Sequence, residues 1–195
     1  MDKKKIEKLP ADLMDNSILE NVKVEGYHDY LEIYDSTINS CNFSEAIFQG
    51  IDITNTDFNN SNLSNVDFTN HSFKKIKFNN CNLIGINFTD SFLEDVIFDN
   101  CNMRYSNFSG TNLRNITFNN CIMNDASFRM VKWKKLIFNS CDLESIEIYK
   151  MSLEKIDFST CNISKIKVSI NDLKGLIVSS EQALSLSLIL GIKIK

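Results

Sequence analysis

"FNNCNL", residues 78–83, returns as "FDNCNM" at 98–103, "FNNCIM" at 118–123, "FNSCDL" at 138–143 and "FSTCNI" at 158–163. A Phe and a Cys therefore recur every twenty residues, and a finer period lies inside that one. Stepping by five from Phe43 meets Phe48, Ile53, Phe58, Leu63, Phe68, Phe73, Phe78, Leu83 and Phe88, and so on to Leu173 and Val178, without one polar residue. Two residues before each lies a second series, Cys41, Ala46, Ile51, Thr56, Ser61 and Val66 through to Cys161 and Ile166, small or β-branched apart from His71, Met151, Asn171 and two Leu. A period of five fits neither the 3.6 of a helix nor the 2 of an ordinary strand. Internal repeats decide a fold ahead of any secondary-structure assignment, and these predict a coil of another kind.

If each pentapeptide is a short extended segment closed by a turn, its two recurrent residues point inward and the other three face water. Four such sides make a square coil of twenty residues. The cysteines mark that coil: Cys81, Cys101, Cys121, Cys141 and Cys161 are twenty apart, Cys41 lies forty before, and Ser61 fills the gap. One inward column reads Phe58, Phe78, Phe98, Phe118, Phe138, Phe158. Another runs Phe48, Phe68, Phe88, Phe108, Phe128 and ends in Ile148 and Val168. Between them stand columns of Leu, Met and Ile, plus Trp133, so aromatic and aliphatic columns alternate around a narrow interior. The residue two after the central apolar one is repeatedly Gly or Asn (Gly50, Asn60, Asn70, Asn80, Gly85, Asn100, Gly110, Asn120), the types that accept the positive φ of a type II turn. An all-β solenoid follows.

In these residues the chain resembles the pentapeptide-repeat proteins, whose fold is a right-handed quadrilateral β-helix. The resemblance covers residues 31–178, with residues 1–30 as an irregular N-terminal lead-in and cap and 179–195 as a C-terminal capping and dimerisation helix with its tail. "LPADL" at 9–13 and "DLKGLIVSSEQALSLSLILGIKI" at 172–194 further resemble the Qnr-like branch, named for quinolone resistance, and its Gram-positive relatives. That resemblance implies a rod-shaped homodimer joined through the C-terminal helix, and binding to DNA gyrase or topoisomerase IV by imitation of duplex DNA, with quinolone protection or inhibition and no direct nucleic-acid binding; the residues themselves suggest no enzyme and no cofactor. Residues also speak for the helix directly, since Ser179 and Gln182 form the S-x-x-Q of a capping box ahead of a Leu-rich run that Gly191 stops. Leu184, Leu186, Leu188 and Leu190 are the expected dimer interface.

The 195 residues, 43% apolar, are enough for one domain with a full core. "MDKKKIEKLPAD" is charged from its second residue and lacks the apolar core of a signal peptide, and the apolar tail "ALSLSLILGIKI" is too short to cross a bilayer. A cytoplasmic protein without membrane attachment is expected. Six Cys spread along one column, not clustered in C-x-x-C pairs, read as reduced core residues and not as metal ligands or redox centres. His71 occupies an inward slot and His28 lies in the lead-in. No acid, base and nucleophile are placed to converge, because outward residues of a regular solenoid point away from one another.

Charge bears on DNA mimicry. From Cys41 to Ser180 there are 14 Lys and Arg against 15 Asp and Glu, whereas residues 1–40 hold 9 acidic against 5 basic. The side through Lys74, Arg114, Lys134 and Lys174 is net basic, with 8 positive and 5 negative residues. Over the roughly 34 Å of seven coils, duplex DNA carries on the order of 20 negative charges. The candidate partner surface is therefore the acidic lead-in, Asp12, Asp15, Glu20, Glu25, Asp29, Glu32 and Asp35, together with Phe92, which should point outward. Two functions stay open: a Qnr-like topoisomerase-binding protein, and an interaction rod or scaffold with a different protein partner.

Overall fold

The computed structural model describes residues 3–189 and 191–193. In chain order the strands are β1 (Lys4–Ile6), β2 (Leu13–Asp15), β3 (Ser17–Glu20), β4 (Lys23–His28), β5 (Leu31–Tyr34), β6 (Thr37–Asn39), β7 (Asn42–Phe48) and β8 (Ile51–Asn59). They continue as β9 (Ser72–Asn79), β10 (Phe92–Asp99), β11 (Asn112–Asn119), β12 (Ser127–Arg129), β13 (Lys132–Asn139), β14 (Glu147–Tyr149) and β15 (Lys167–Val168), before the helix α1 (Ser180–Ser187). All pair in parallel, and Ile53↔Phe73, Phe73↔Leu93, Leu93↔Leu113 and Leu113↔Trp133 show the advance of twenty residues per coil. This is the right-handed quadrilateral β-helix.

The four sides are not equivalent. Residues 51–59 and their counterparts in β9, β10, β11 and β13 run as continuous strands over two sides, bent at a residue of positive φ (Asn55, Lys75, Asp95, Asn115, Lys135). The other two sides carry isolated bridges such as Asn62↔Asn82 and Asn87↔Asn107. Their turns close with Val66 N–H donating to Leu63 O and Ile86 N–H to Leu83 O, with Asn65 and Gly85 at positive φ, the type II pattern. Gly85 also leaves room for its neighbour: a Cβ there would lie 2.3 Å from Asn65 Oδ1.

Inside, the expected columns are present. Phe58, Phe78, Phe98, Phe118 and Phe138 stack with ring centroids 4.9–5.1 Å apart, close to the strand spacing that sets the coil rise. Each cysteine is buried and unbridged. The thiols donate to backbone carbonyls, Cys101 Sγ to Phe78 O at 3.3 Å and Cys121 Sγ to Asn119 O at 3.3 Å. A thiolate in such a place would face carbonyl oxygens, and burial pushes the Cys41 thiol up. Ser61 does fill the gap in this column, donating to Asn59 O while accepting from Cys41 N–H.

At the start, β1–β4 are paired into the solenoid and β4 lies against β7. The advance is 13 residues from β1 to β3 (Lys4↔Ser17), then 19, as in Met14↔Ile33 and Leu19↔Ile38, and it returns to 20 through a bulge between Lys23 and Glu25. One residue fewer at this bulge puts inward Met14, Leu19 and Val24 one position out of step with Ile33, Ile38 and Phe43, which is why the five-residue register is not visible before Leu31. His28 stacks on Phe48 at 5.2 Å and extends that aromatic column by one ring. At the other end Ser179 and Gln182 form the capping box, and Gln182 Nε2 also donates to Phe158 O and Cys161 O, tying α1 onto the last coils.

Candidate partner surfaces

Four of the seven acidic lead-in residues gather on one side of the solenoid. Asp15 pairs in register with Tyr34, Glu32 with Asp52, and Asp35 accepts from Asn55 Nδ2, while Glu32 N–H donates to Asp12 O. Asp12, Asp15, Glu32, Asp35 and Asp52 thus occupy three successive coils, and among the described residues no Lys or Arg lies in the strands of this side before Lys74, while Lys3 reaches its edge with Nζ donating to Thr37 Oγ1 at 2.7 Å. Tyr30 Oη donates to Asp52 at 2.7 Å, and this bond, with some desolvation, pushes the Tyr30 phenol up to about 12. The other three lie elsewhere. Glu20 is on the neighbouring side, paired in register with Asn39 and bridged to Lys5 at 2.6 Å; Glu25 stacks on Glu45 and bridges Lys23; Asp29 sits at a corner.

The same side turns basic beyond the third coil. Glu94 is gripped by Arg114 at 3.1 Å and Lys74 at 3.3 Å, and their hydrogen bonds hold its carboxyl below the usual range. Phe92 is half-buried with the Arg114 guanidinium over its ring at 5.6 Å. Lys132, Lys134 and Lys135 have no ion-pair partner among the described residues.

Trp133 departs from expectation. It occupies the slot filled by Leu or Phe in neighbouring coils but is only half-buried, and its indole Nε1 donates to Ser152 O at 2.8 Å. Among the described residues no backbone hydrogen bond joins Lys132–Asn139 to the following coil, whereas the other two sides stay bonded there through Leu143 N–H to Asn162 O and Lys167 N–H to Ile146 O. The Phe stack breaks at the same level, where Phe138 and Phe158 meet edge-on at 76°. A seam on two sides of the solenoid thus coincides with the oversized ring. A shallow depression of about 400 Å³ lies in it, between Trp133, Ser152 and Lys155. The signal in sequence was volume alone, since Trp133 keeps the apolar register.

Of the predicted dimer residues, Leu186 packs against the core while Leu184 and Leu188 are 55% and 69% exposed. Leu190 lies outside the described residues. Ile189 and Ile192 are also exposed in this segment. Among the described residues no cluster of His, Cys, Asp and Glu could hold a metal, and no helix is long and apolar enough to cross a membrane.

Comparison with known families agrees with this geometry. The pentapeptide repeat region family matches residues 71–148 and the pentapeptide repeats (8 copies) family residues 38–74, together more than half of the sequence. The chain is a pentapeptide-repeat protein. Among solved structures it is similar to HetL, a pentapeptide repeat protein involved in heterocyst differentiation regulation from the cyanobacterium Nostoc sp. strain PCC 7120, at 16% identity over 87% of this chain and 90% of that one, with a TM-score of 0.50. Full-length QnrB1, a plasmid-mediated fluoroquinolone resistance protein, aligns at 19% identity over 92% and 99% of the two chains with a TM-score of 0.40. No curated protein matches it in sequence.

Proposed function

We propose that the protein acts by binding and not by chemistry, and that its acidic end contacts DNA gyrase or topoisomerase IV in place of duplex DNA. One observation supports this: Asp12, Asp15, Glu32, Asp35 and Asp52 share one side of three coils, and among the described residues the strands of that side hold no Lys or Arg before Lys74, with Lys3 reaching only its edge at Thr37. Two coil spacings span about 10 Å, over which duplex DNA carries about six charges. At its tip the rod approaches the charge density of DNA, although its body as a whole does not. A homodimer through α1 and its exposed Leu184 and Leu188 would set two such tips at opposite ends.

Titration calorimetry with purified gyrase tests this reading. Asp12→Asn, Asp15→Asn, Glu32→Gln, Asp35→Asn and Asp52→Asn combined should weaken binding at least about tenfold, a loss of about 1.4 kcal/mol, and leave the melting temperature nearly unchanged. Equal heats for wild type and variant, or none for either, would transfer the function to the alternative, an interaction rod with another protein partner. That second reading is favoured by the half-buried Phe92 and Trp133 set among unpaired lysines, a surface of mixed character unlike DNA.

A further inference from the structure

The net-basic side of the sheet runs unbroken through six strands, β5, β8, β9, β10, β11 and β13, and stops at the Trp133 seam. Three outward columns cross it. The first stacks Glu32, Asp52, Ser72, Phe92, Asn112 and Lys132; the second Tyr34, Thr54, Lys74, Glu94, Arg114 and Lys134. The third, at the bend, holds Asp35, Asn55, Lys75, Asp95, Asn115 and Lys135, joined in part by Asn55 to Asp35 and Asn115 to Asp95 hydrogen bonds. Summed over these three columns alone, the formal charges at the levels of β5, β8, β9, β10, β11 and β13 are −2, −1, +2, −2, +1 and +3.

This order reverses its sign about the midpoint between β9 and β10. Consider a second copy laid face to face on this side, related by a two-fold axis that lies in the interface and runs along the strands. Coil order is then inverted while each column meets itself. In the first column Glu32 meets Lys132; in the third Asp35 meets Lys135 and Lys75 meets Asp95; in the second Lys74 meets Glu94 and Tyr34 meets Lys134. Asp52 and Arg114 fall on facing strands. We infer that this side is a self-complementary docking surface whose occupant is a second copy of the chain, in antiparallel face-to-face contact. An isologous interface requires this relation, residue i to j and j to i. The charges that end the pattern, Glu32, Asp35, Lys132, Lys134 and Lys135, have no ion-pair partner within the chain among the described residues.

Size and chemistry set the strength. A side about 16 Å wide and 29 Å tall falls short of the roughly 800 Å² per partner of a standard stable interface. Complementary charges supply orientation more than affinity, while Tyr34 against Lys134 and the half-buried Trp133 supply aromatic contact. The association is weak, concentration-dependent and sensitive to salt. It stands independently of the topoisomerase reading and needs no gyrase to test.

Sedimentation velocity on the full chain decides it. Wild type should show a mass doubling with concentration at about 0.1 M salt that disappears at about 1 M, where the Debye length falls from about 10 Å to about 3 Å. Lys132→Glu with Lys135→Asp makes both ends of the side acidic, and Glu32→Lys with Asp35→Lys makes both basic. Positions 35 and 135 have positive φ, which Lys75 and Asp95 already adopt in the same column, so both variants should keep the wild-type melting temperature. Each should lose the salt-labile step alone, and a one-to-one mixture should regain it as a heterodimer. A wild type without a salt-labile step, or a mixture that fails to associate, overturns the proposal; if wild type then binds poly-glutamate, the side belongs to an acidic partner instead. A salt-resistant dimer common to all three proteins belongs to α1, and the salt-labile step is then read as association beyond that dimer.

Discussion

Phe118 is fully buried, stacked between Phe98 and Phe138 at 4.9 and 5.0 Å and edge-on to Phe108 and Phe128. Removing such a ring leaves a cavity that rigid coils above and below cannot fill, so Phe118→Ala should cost about 3–5 kcal/mol in denaturant unfolding. Met130 presents the opposite case. It holds φ 56° at a corner where neighbouring coils use Asn70, Asp90 and Gly110, and a left-handed conformation disfavours an ordinary side chain by about 1–2 kcal/mol. Met130→Asn should therefore raise the melting temperature, and a fall would contradict the corner geometry. Inward residues were legible in the sequence because inwardness depends only on position in the five-residue register. Side-chain ladders were not, since the outward amides linking Asn39, Asn59 and Asn79, or Asn42, Asn62 and Asn82, break no pattern of hydrophobicity.

Strands and seams answer to a different variable, the fit between adjacent coils. An Ala inserted after Asn100 would turn every following inward residue outward until a bulge absorbed it. The same insertion near Lys23 would meet a bulge already present, where the advance changes from 19 to 20. The first variant should melt far below the second, and comparable values would sink the five-residue account. The seam at β13 gives a finer test. Trp133→Leu restores the size of Leu113 and Leu153 on either side, so the ladder should close and amide exchange at Lys135 and Asp157 should slow; unchanged exchange would mean that the ring is not what holds the coils apart. The helix was legible through its capping box, but the grip of Gln182 on Phe158 O and Cys161 O was not, because capping rules describe only the helix's own end. Likewise the seven acidic residues were visible as a composition bias, while the gathering of Asp12, Asp15, Glu32 and Asp35 required the 19-residue pairing that places β2 on β5.

At the scale of the whole molecule, the sides of the solenoid differ in charge, and the proposed function rests on which of them a partner reads. The two proposed contacts share one face: docking a second copy across β5–β13 would cover Glu32, Asp35 and Asp52, and a topoisomerase would have to displace it. Gyrase binding should accordingly improve at concentrations below self-association and in the variant Lys132→Glu with Lys135→Asp, which removes the competing copy and two repelling cations together. The central claim is that the acidic end stands in for DNA. Supercoiling by purified gyrase, with and without a fluoroquinolone, tests it most directly: wild type should slow supercoiling or relieve the drug, and the variant neutralised at Asp12, Asp15, Glu32, Asp35 and Asp52 should do neither. Identical supercoiling with wild type, variant and buffer, in the presence and absence of the drug, would contradict it.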